Sequence, residues 1–174
     1  FAKHQQKYKH ECRCFFEVVL DEQQQKPRFD IEANFVEYPQ SRDFDWNHVT
    51  DTIIDAIAKV FHERKEELCV EKDILLYSSH GNDKKSFHIV INNYYHQGSD
   101  EAKTFYHDTM QYIPTIYHRI VDPSVYSTTQ QFRIVGSQKY QSGRVKTFHD
   151  HWLYHGVMIE HKYNEEPEDG DHLA

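Results

Sequence analysis

At 174 residues the chain is long enough to bury one substantial core, in one or two lobes, but too short for several independent domains. Its 12 Tyr and 11 Phe, within an ordinary hydrophobic fraction of 38%, exclude disorder over most of the length, and no apolar run approaches the roughly 18 to 20 residues of a membrane-spanning helix. The formal net charge of −8 argues against a surface that is basic throughout, of the kind that neutralises phosphates.

That charge is segregated. The stretch from Asn164 to Ala174 holds Glu165, Glu166, Glu168, Asp169 and Asp171 and no Lys or Arg; without these five, 23 acids face 20 bases. Residues 164–174 therefore read as an acidic tail or linker beyond a domain of residues 1–163. Lys84, Lys85, Arg133, Lys139, Arg144 and Lys146 lie in or near the segments singled out below, which leaves room for a local basic groove. Cys12, Cys14 and Cys69 are an odd number with no CxxC pair, which argues against a disulfide framework or a Cys-based zinc site and for an intracellular, reducing compartment. Nothing at the start resembles a signal peptide. The chain opens on Phe1 rather than methionine and ends in charge, so we expect a piece of a longer protein.

In chain order, Cys14 to Leu20 is apolar and β-branched and reads as a strand; Gln23 to Pro27 is a polar loop leading into a second strand, Arg28 to Phe35. Val49, Ile53, Ile57, Val60, Phe61 and Leu68 recur at spacings of three and four and predict an amphipathic helix near 47–68. Strands follow at Asp73 to Tyr77 and Ser86 to Asn92. A second helical stripe, Ala102, Phe105, Thr109, Tyr112, Ile116 and Ile120, begins after a Ser99 cap and is broken or kinked by Pro114. Gln131 to Val135 and a stretch within Val145 to Tyr163 complete the strands. Strands interrupted by two long helices indicate an α/β or α+β domain, and the order β, α, β, β, α, β is compatible with an RRM-like sheet.

Strand alternation places Asp30 and Glu32 on one face, with Phe29, Ile31 and Ala33 on the other. Paired carboxylates on a rigid strand suit Mg²⁺ or Mn²⁺, although two acids on an exposed strand face are also commonplace. Ser86 and His88 share a face in the same way, just after Lys84 and Lys85. Hydroxyl, imidazole and ammonium together suit phosphate oxygens, and the same pair is consistent with an ordinary, satisfied strand. Asp122 stands before Pro123, where Asp commonly caps a turn. Arg133, set between apolar neighbours, wants a partner or an anionic ligand. The 14 histidines, with His149, His151, His155 and His161 near the end, show no recognisable metal-ligand spacing and read mostly as structural.

The combination of Phe29-Asp30-Ile31-Glu32, Lys84-Lys85-Ser86-Phe87-His88 and the run from Val121 to Lys139, in this order and at these separations, resembles the archaeo-eukaryotic primase superfamily, its primase-polymerase branch and the related primases of large DNA viruses above all. The resemblance covers Asp30 to Lys139. It implies an α+β fold, an α/β lobe joined to an RRM-like lobe with the site in the cleft between them, and a DNA primase or polymerase catalytic domain over residues 1–163. It further implies that Asp30, Glu32 and Asp122 are catalytic and hold Mg²⁺ or Mn²⁺, and that Lys84, Ser86, His88, Arg133 and Lys139 bind the nucleotide. The implied chemistry is two-metal nucleotidyl transfer. The implied partners are a single-stranded DNA template, nucleoside triphosphates and a helicase domain or subunit in the full-length protein, with no membrane. The chain departs from the pattern in being short, in lacking a Cys-rich zinc module and a Walker loop, and in carrying Gln130 where some relatives have a base. Two other readings stay open: a non-catalytic module that binds single-stranded nucleic acid, and a metal-dependent nuclease.

Overall fold

The computed structural model describes residues 7–9, 13–127, 129–161 and 170–173. Cys12, Thr128 and four of the five tail acids, Glu165, Glu166, Glu168 and Asp169, lie outside the described residues. In chain order the elements are β1 (Phe16–Leu20), β2 (Arg28–Asn34), α1 (Trp46–Glu63), the single turn α2 (Val70–Asp73), β3 (Ile74–Ser78), β4 (Lys84–Ile91), β5 (Tyr94–Tyr95), α3 (Ser99–Met110), α4 (Thr115–His118), β6 (Thr129–Arg133), β7 (Thr147–Phe148), β8 (His151–Tyr154), β9 (Val157–Glu160) and β10 (Asp171–His172), with 3₁₀ turns at Pro39–Asp43 and Pro123–Tyr126.

The central sheet runs β2, β4, β3, β7, each neighbour antiparallel. Alternation gives it two chemically different faces. Phe29, Ile31 and Ala33 of β2, Phe87, Ile89 and Ile91 of β4, and Ile74 and Leu76 of β3 turn to one side and are buried. There they meet Val49, Ile53, Ile57, Val60 and Phe61 of α1 and Ala102 and Phe105 of α3 in one apolar cluster. The outer edge of β2 is partly covered: Val121 bridges Ile31, the Glu32 N–H donates to the Ile120 carbonyl at 2.7 Å and the Asp122 N–H to the Asp30 carbonyl at 2.8 Å. A separate antiparallel ribbon, β1 with β6, lies over the sheet's other face, which it meets through Phe132 and Arg133.

The mixed α and β class agrees with the sequence reading, with local differences. α1 starts one residue early because the Asp45 carboxylate accepts from the Asn47 and His48 N–H groups and so satisfies two open donors of the first turn. It ends at Glu63 rather than near 68: Lys65 takes a left-handed conformation (φ 62°), the Glu66 N–H reaches back to the Phe61 carbonyl and the Lys65 N–H to that of His62, a Schellman stop. Leu68 still packs on the core from outside the helix. Ser99 does not cap α3. The cap is Gly98, whose missing side chain lets the Asp21 carbonyl approach to 2.7 Å of where a Cβ would stand, and the Ser99 hydroxyl donates to Asp21. Around Pro114 the second stripe separates into α3 and α4, which turns Ile116 out to solvent while Ile120 stays buried. The Val145 to Tyr163 stretch resolves into β7 and the hairpin β8–β9, whose two turn residues, His155 and Gly156, both have positive φ, as this tight turn demands. At the other end of the chain, β10 pairs in parallel with β5 and Leu173 is fully buried. Among the described residues no helix is long and apolar enough to cross a membrane.

Candidate active site

The pairing of β2 with β4 sets Asp30 opposite His88 and Glu32 opposite Ser86, all four on the face away from the helices. Asp122 joins them through its backbone bond to Asp30. β6 closes the space from above. Asp30, Glu32, His88 and Asp122 line a cavity of about 170 Å³ together with Gln130, Arg133 and Lys139. Six of the eight residues singled out from sequence thus share one wall-to-wall space, although they come from three separate parts of the chain.

Two stand apart from that lining. Lys84 pairs with the Glu32 carboxylate. Ser86 is 1% exposed, and its hydroxyl is bonded to that of Ser79 at 3.2 Å. Arg133 holds the same Ser79 hydroxyl through one guanidinium nitrogen at 2.8 Å and the Arg144 carbonyl through the other at 3.0 Å. Lys84 and Ser86 therefore sit at the edge of the cavity wall or one layer beneath it. Gln130 donates to Ser124 and Ser127 and ties β6 to the 3₁₀ turn that follows Asp122.

The electrostatics centre on one buried acid, Asp30, and its neighbours. Burial, reinforced by Glu32 and Asp122, pushes the Asp30 carboxyl up to about 7, with Lys84 and Arg133 pulling the other way. Burial also holds the His88 imidazole well below its ordinary range, helped by Lys146, Arg133, Lys139 and Lys84. With that ring neutral, its 3.4 Å approach to the Asp30 carboxylate is a dipolar contact rather than an ion pair. One Asp30 oxygen and the His88 Nδ1 are buried without a hydrogen bond, which is costly unless a ligand supplies the partner.

These donors suit a hard, oxygen-seeking cation: three carboxylates whose fields meet, one with an unsatisfied buried oxygen. As they stand they do not converge on a point, and among the described residues no group of three His, Cys, Asp or Glu is placed to hold a metal ion. Lys84 engages Glu32, and both Asp122 oxygens accept from Ser124, its N–H and its hydroxyl at 2.8 Å each. Asp122 is therefore a turn cap and a cavity residue at once. The later histidines spend their rings on protein partners: His149 on Ser78, His155 on Asp55 and His161 on the Glu71 carbonyl.

No family model matches the chain. Its similarity is to proteins of large DNA viruses. It is 35% identical over 151 residues to a protein of African swine fever virus (isolate Pig/Kenya/KEN-50/1950) named for a helicase/primase complex, across 80% of this chain and 14% of the relative. The protein of the same name in strain Badajoz 1971 is 34% identical over 166 residues, again 80% of this chain and 15% of the relative. A protein of Acanthamoeba polyphaga mimivirus named as a helicase is 27% identical over 158 residues, 73% of this chain and 14% of the relative. The chain thus spans about a seventh of the length of these relatives.

Lys146 contributes to the site without having been assigned a role from sequence. It is 6% exposed, its ammonium rests on the rings of Tyr77 at 4.7 Å and Phe132 at 5.8 Å, and it is the leading charge acting on His88. In the sequence it is one base among several between Lys139 and Thr147, and no spacing marks it out.

Proposed function

We propose that the chain is the catalytic module of a viral DNA primase or polymerase, which joins nucleotides on a single-stranded template and works beside a helicase in a longer protein. One observation carries the reading: β2 and β4 set Asp30 against His88 beside Asp122 on the sheet face away from the helices, and Arg133 and Lys139 close the same cavity with positive charge. An Asp30 carboxyl raised to about 7 by burial and by the neighbouring Glu32 and Asp122, facing cations across a small polar space, suits a metal-bound polyphosphate better than a neutral ligand. The relatives' names agree with a replication role.

Asp30, Glu32 and Asp122 would hold Mg²⁺ or Mn²⁺, which when bound supplies Lewis-acid activation and charge neutralisation at the reacting phosphates. Arg133 and Lys139 face the anionic oxygens and stabilise charge that spreads over the transferred group. His88, kept neutral, offers a ring nitrogen without carrying charge into the acid cluster. Lys84 releases Glu32 when a phosphate replaces the carboxylate as its partner, and so couples nucleotide arrival to assembly of the acids.

The test is extension of a primed and an unprimed single strand, with ribo- or deoxyribonucleotides and Mg²⁺ or Mn²⁺. Product that grows with wild type and vanishes with Asp30→Asn supports the reading. Folded wild-type protein that gives no product under any of these conditions overturns it, and strand shortening would point to a nuclease.

A further inference from the structure

Beside the reactive cavity lies a larger one. The groove, about 490 Å³, is lined by Lys26, Arg28, Arg133 and Lys146 with a single acid, Glu17. Four cations against one acid is a marked local reversal in a chain of net charge −8. Their positions follow from the same ladder as the site. Arg28 stands two residues before Asp30 on β2, Val90 two after His88 on β4, and Leu75 two before Tyr77 on β3; Arg28 pairs with Val90 and Val90 with Leu75. The groove is therefore the next row of the sheet face under the β1–β6 ribbon, about 7 Å along the strands, and it shares Phe132 and Arg133 with the reactive cavity.

Its walls are of two kinds. Leu75, Val90 and the Tyr77 ring form an apolar floor. Over it, Arg28 lies 4.6 Å from the centre of the Phe132 ring and is steadied by the Gln25 side chain at 2.9 Å, while Lys146 lies against Tyr77 and Phe132. Lys26, at the exposed rim, holds the Asn92 side chain. An apolar bed flanked by cations fits a flat base joined to a phosphodiester, and the volume falls within that of ordinary ligand pockets.

We propose that this groove is a subsite for single-stranded nucleic acid, which seats the nucleotide unit next to the one that reacts. The inference rests on the nucleotidyl-transfer reading for which unit reacts, but strand binding is measurable without any reaction. The shared wall explains how one strand occupies both places: Phe132 and Arg133 separate a base-sized groove from a phosphate-sized cavity, with continuous positive charge between them.

The experiment is fluorescence anisotropy of a labelled short oligothymidylate with the full chain, in EDTA and without nucleotide, over a series of salt concentrations. Lys26→Glu and Lys146→Gln should each weaken binding on the order of fivefold and lower the salt slope by about 0.7 for each phosphate no longer neutralised. Lys59→Glu, on the outer side of α1, should bind as wild type. Lys26 is exposed, so its substitution decides the matter even if Lys146→Gln fails to fold, which a melting curve reveals. Wild-type protein that does not bind the strand, or groove variants that bind with unchanged affinity and slope, overturns the proposal. So does a parallel titration with a fluorescent nucleoside triphosphate in which the variants lose nucleotide affinity and keep strand affinity. Should extension fail while the variants still weaken strand binding, the groove stands and the catalytic reading falls; extension with unchanged strand binding has the opposite meaning.

Discussion

Asp30 carries the most information of any single side chain. Its carboxyl is raised because burial and two neighbouring acids penalise its charge, so the folded protein holds this proton more tightly than the unfolded chain. The sign follows directly: the protonated carboxyl's contribution is complete below about pH 4 and is lost as pH rises through about 7. Thermal melts without metal should show stability declining across that window, and Asp30→Asn should flatten the decline while abolishing extension. Asp122 needs a more careful substitution, because it also caps a turn. Asp122→Ala should lose activity and about 1 kcal/mol of stability together; Asp122→Asn keeps an accepting oxygen for the Ser124 N–H and should lose activity with a smaller drop in melting temperature. Both acids were legible in the sequence as candidates. What was hidden is the second duty of each neighbour, Lys84 on Glu32 and Ser86 on Ser79, since spacing along a strand shows which face a side chain takes but not what stands opposite.

At the scale of elements, two attachments hold the described chain ends and edges. The β8–β9 hairpin docks on α1 through Tyr154 and His155, both bonded to Asp55, and through the His155 N–H on Asp51. Asp55 raises the His155 pKa, so this contact is at full strength below the ordinary imidazole range and weakens as pH rises through the raised value. Protection factors at the β8 and β9 amides, taken against the intrinsic exchange rate at each pH, should fall over that rise, and His155→Ala should remove that fall. β10 is the second attachment. Leu173 is fully buried, its N–H donates to the Tyr95 carbonyl and its own carbonyl meets the His96 ring. Leu173→Ala should cost about 2–5 kcal/mol, read as a lower urea midpoint. Composition alone marks this region as a solvated tail, because the acids dominate it; a single Leu that finds an apolar hole is invisible to charge counting. The long elements, by contrast, were readable, since α1, β2 and β4 each carry one apolar face over several periods. The helix ends were set by particular residues, Lys65 after α1 and Gly98 before α3, which carry no periodic signal.

At the scale of the whole molecule, charge is arranged rather than summed. A net −8 coexists with a cationic strip formed by Arg28, Arg133, Lys139 and Lys146 along one sheet face. Binding should therefore be confined to that face and strongly salt-dependent. The full protein should need the strip for primer extension, so Lys139→Glu is expected to reduce extension roughly tenfold or more, measured as product per unit time at saturating template. The sequence by itself determined the alternation and helical periods that build a mixed α and β domain, and it determined the three motifs whose order resembles a known catalytic core. Those depend on local chain geometry, which repeats every two or 3.6 residues and can be read one segment at a time. Only the tertiary structure decided that Asp30, His88, Asp122 and Arg133 meet in one cavity, that the Lys146 charge acts on His88 from beside it, and that a second groove, which Lys146 lines, opens one ladder step away. Such meetings depend on strand register and on the β1–β6 ribbon crossing the sheet, contacts between segments far apart in the chain, which no local period encodes.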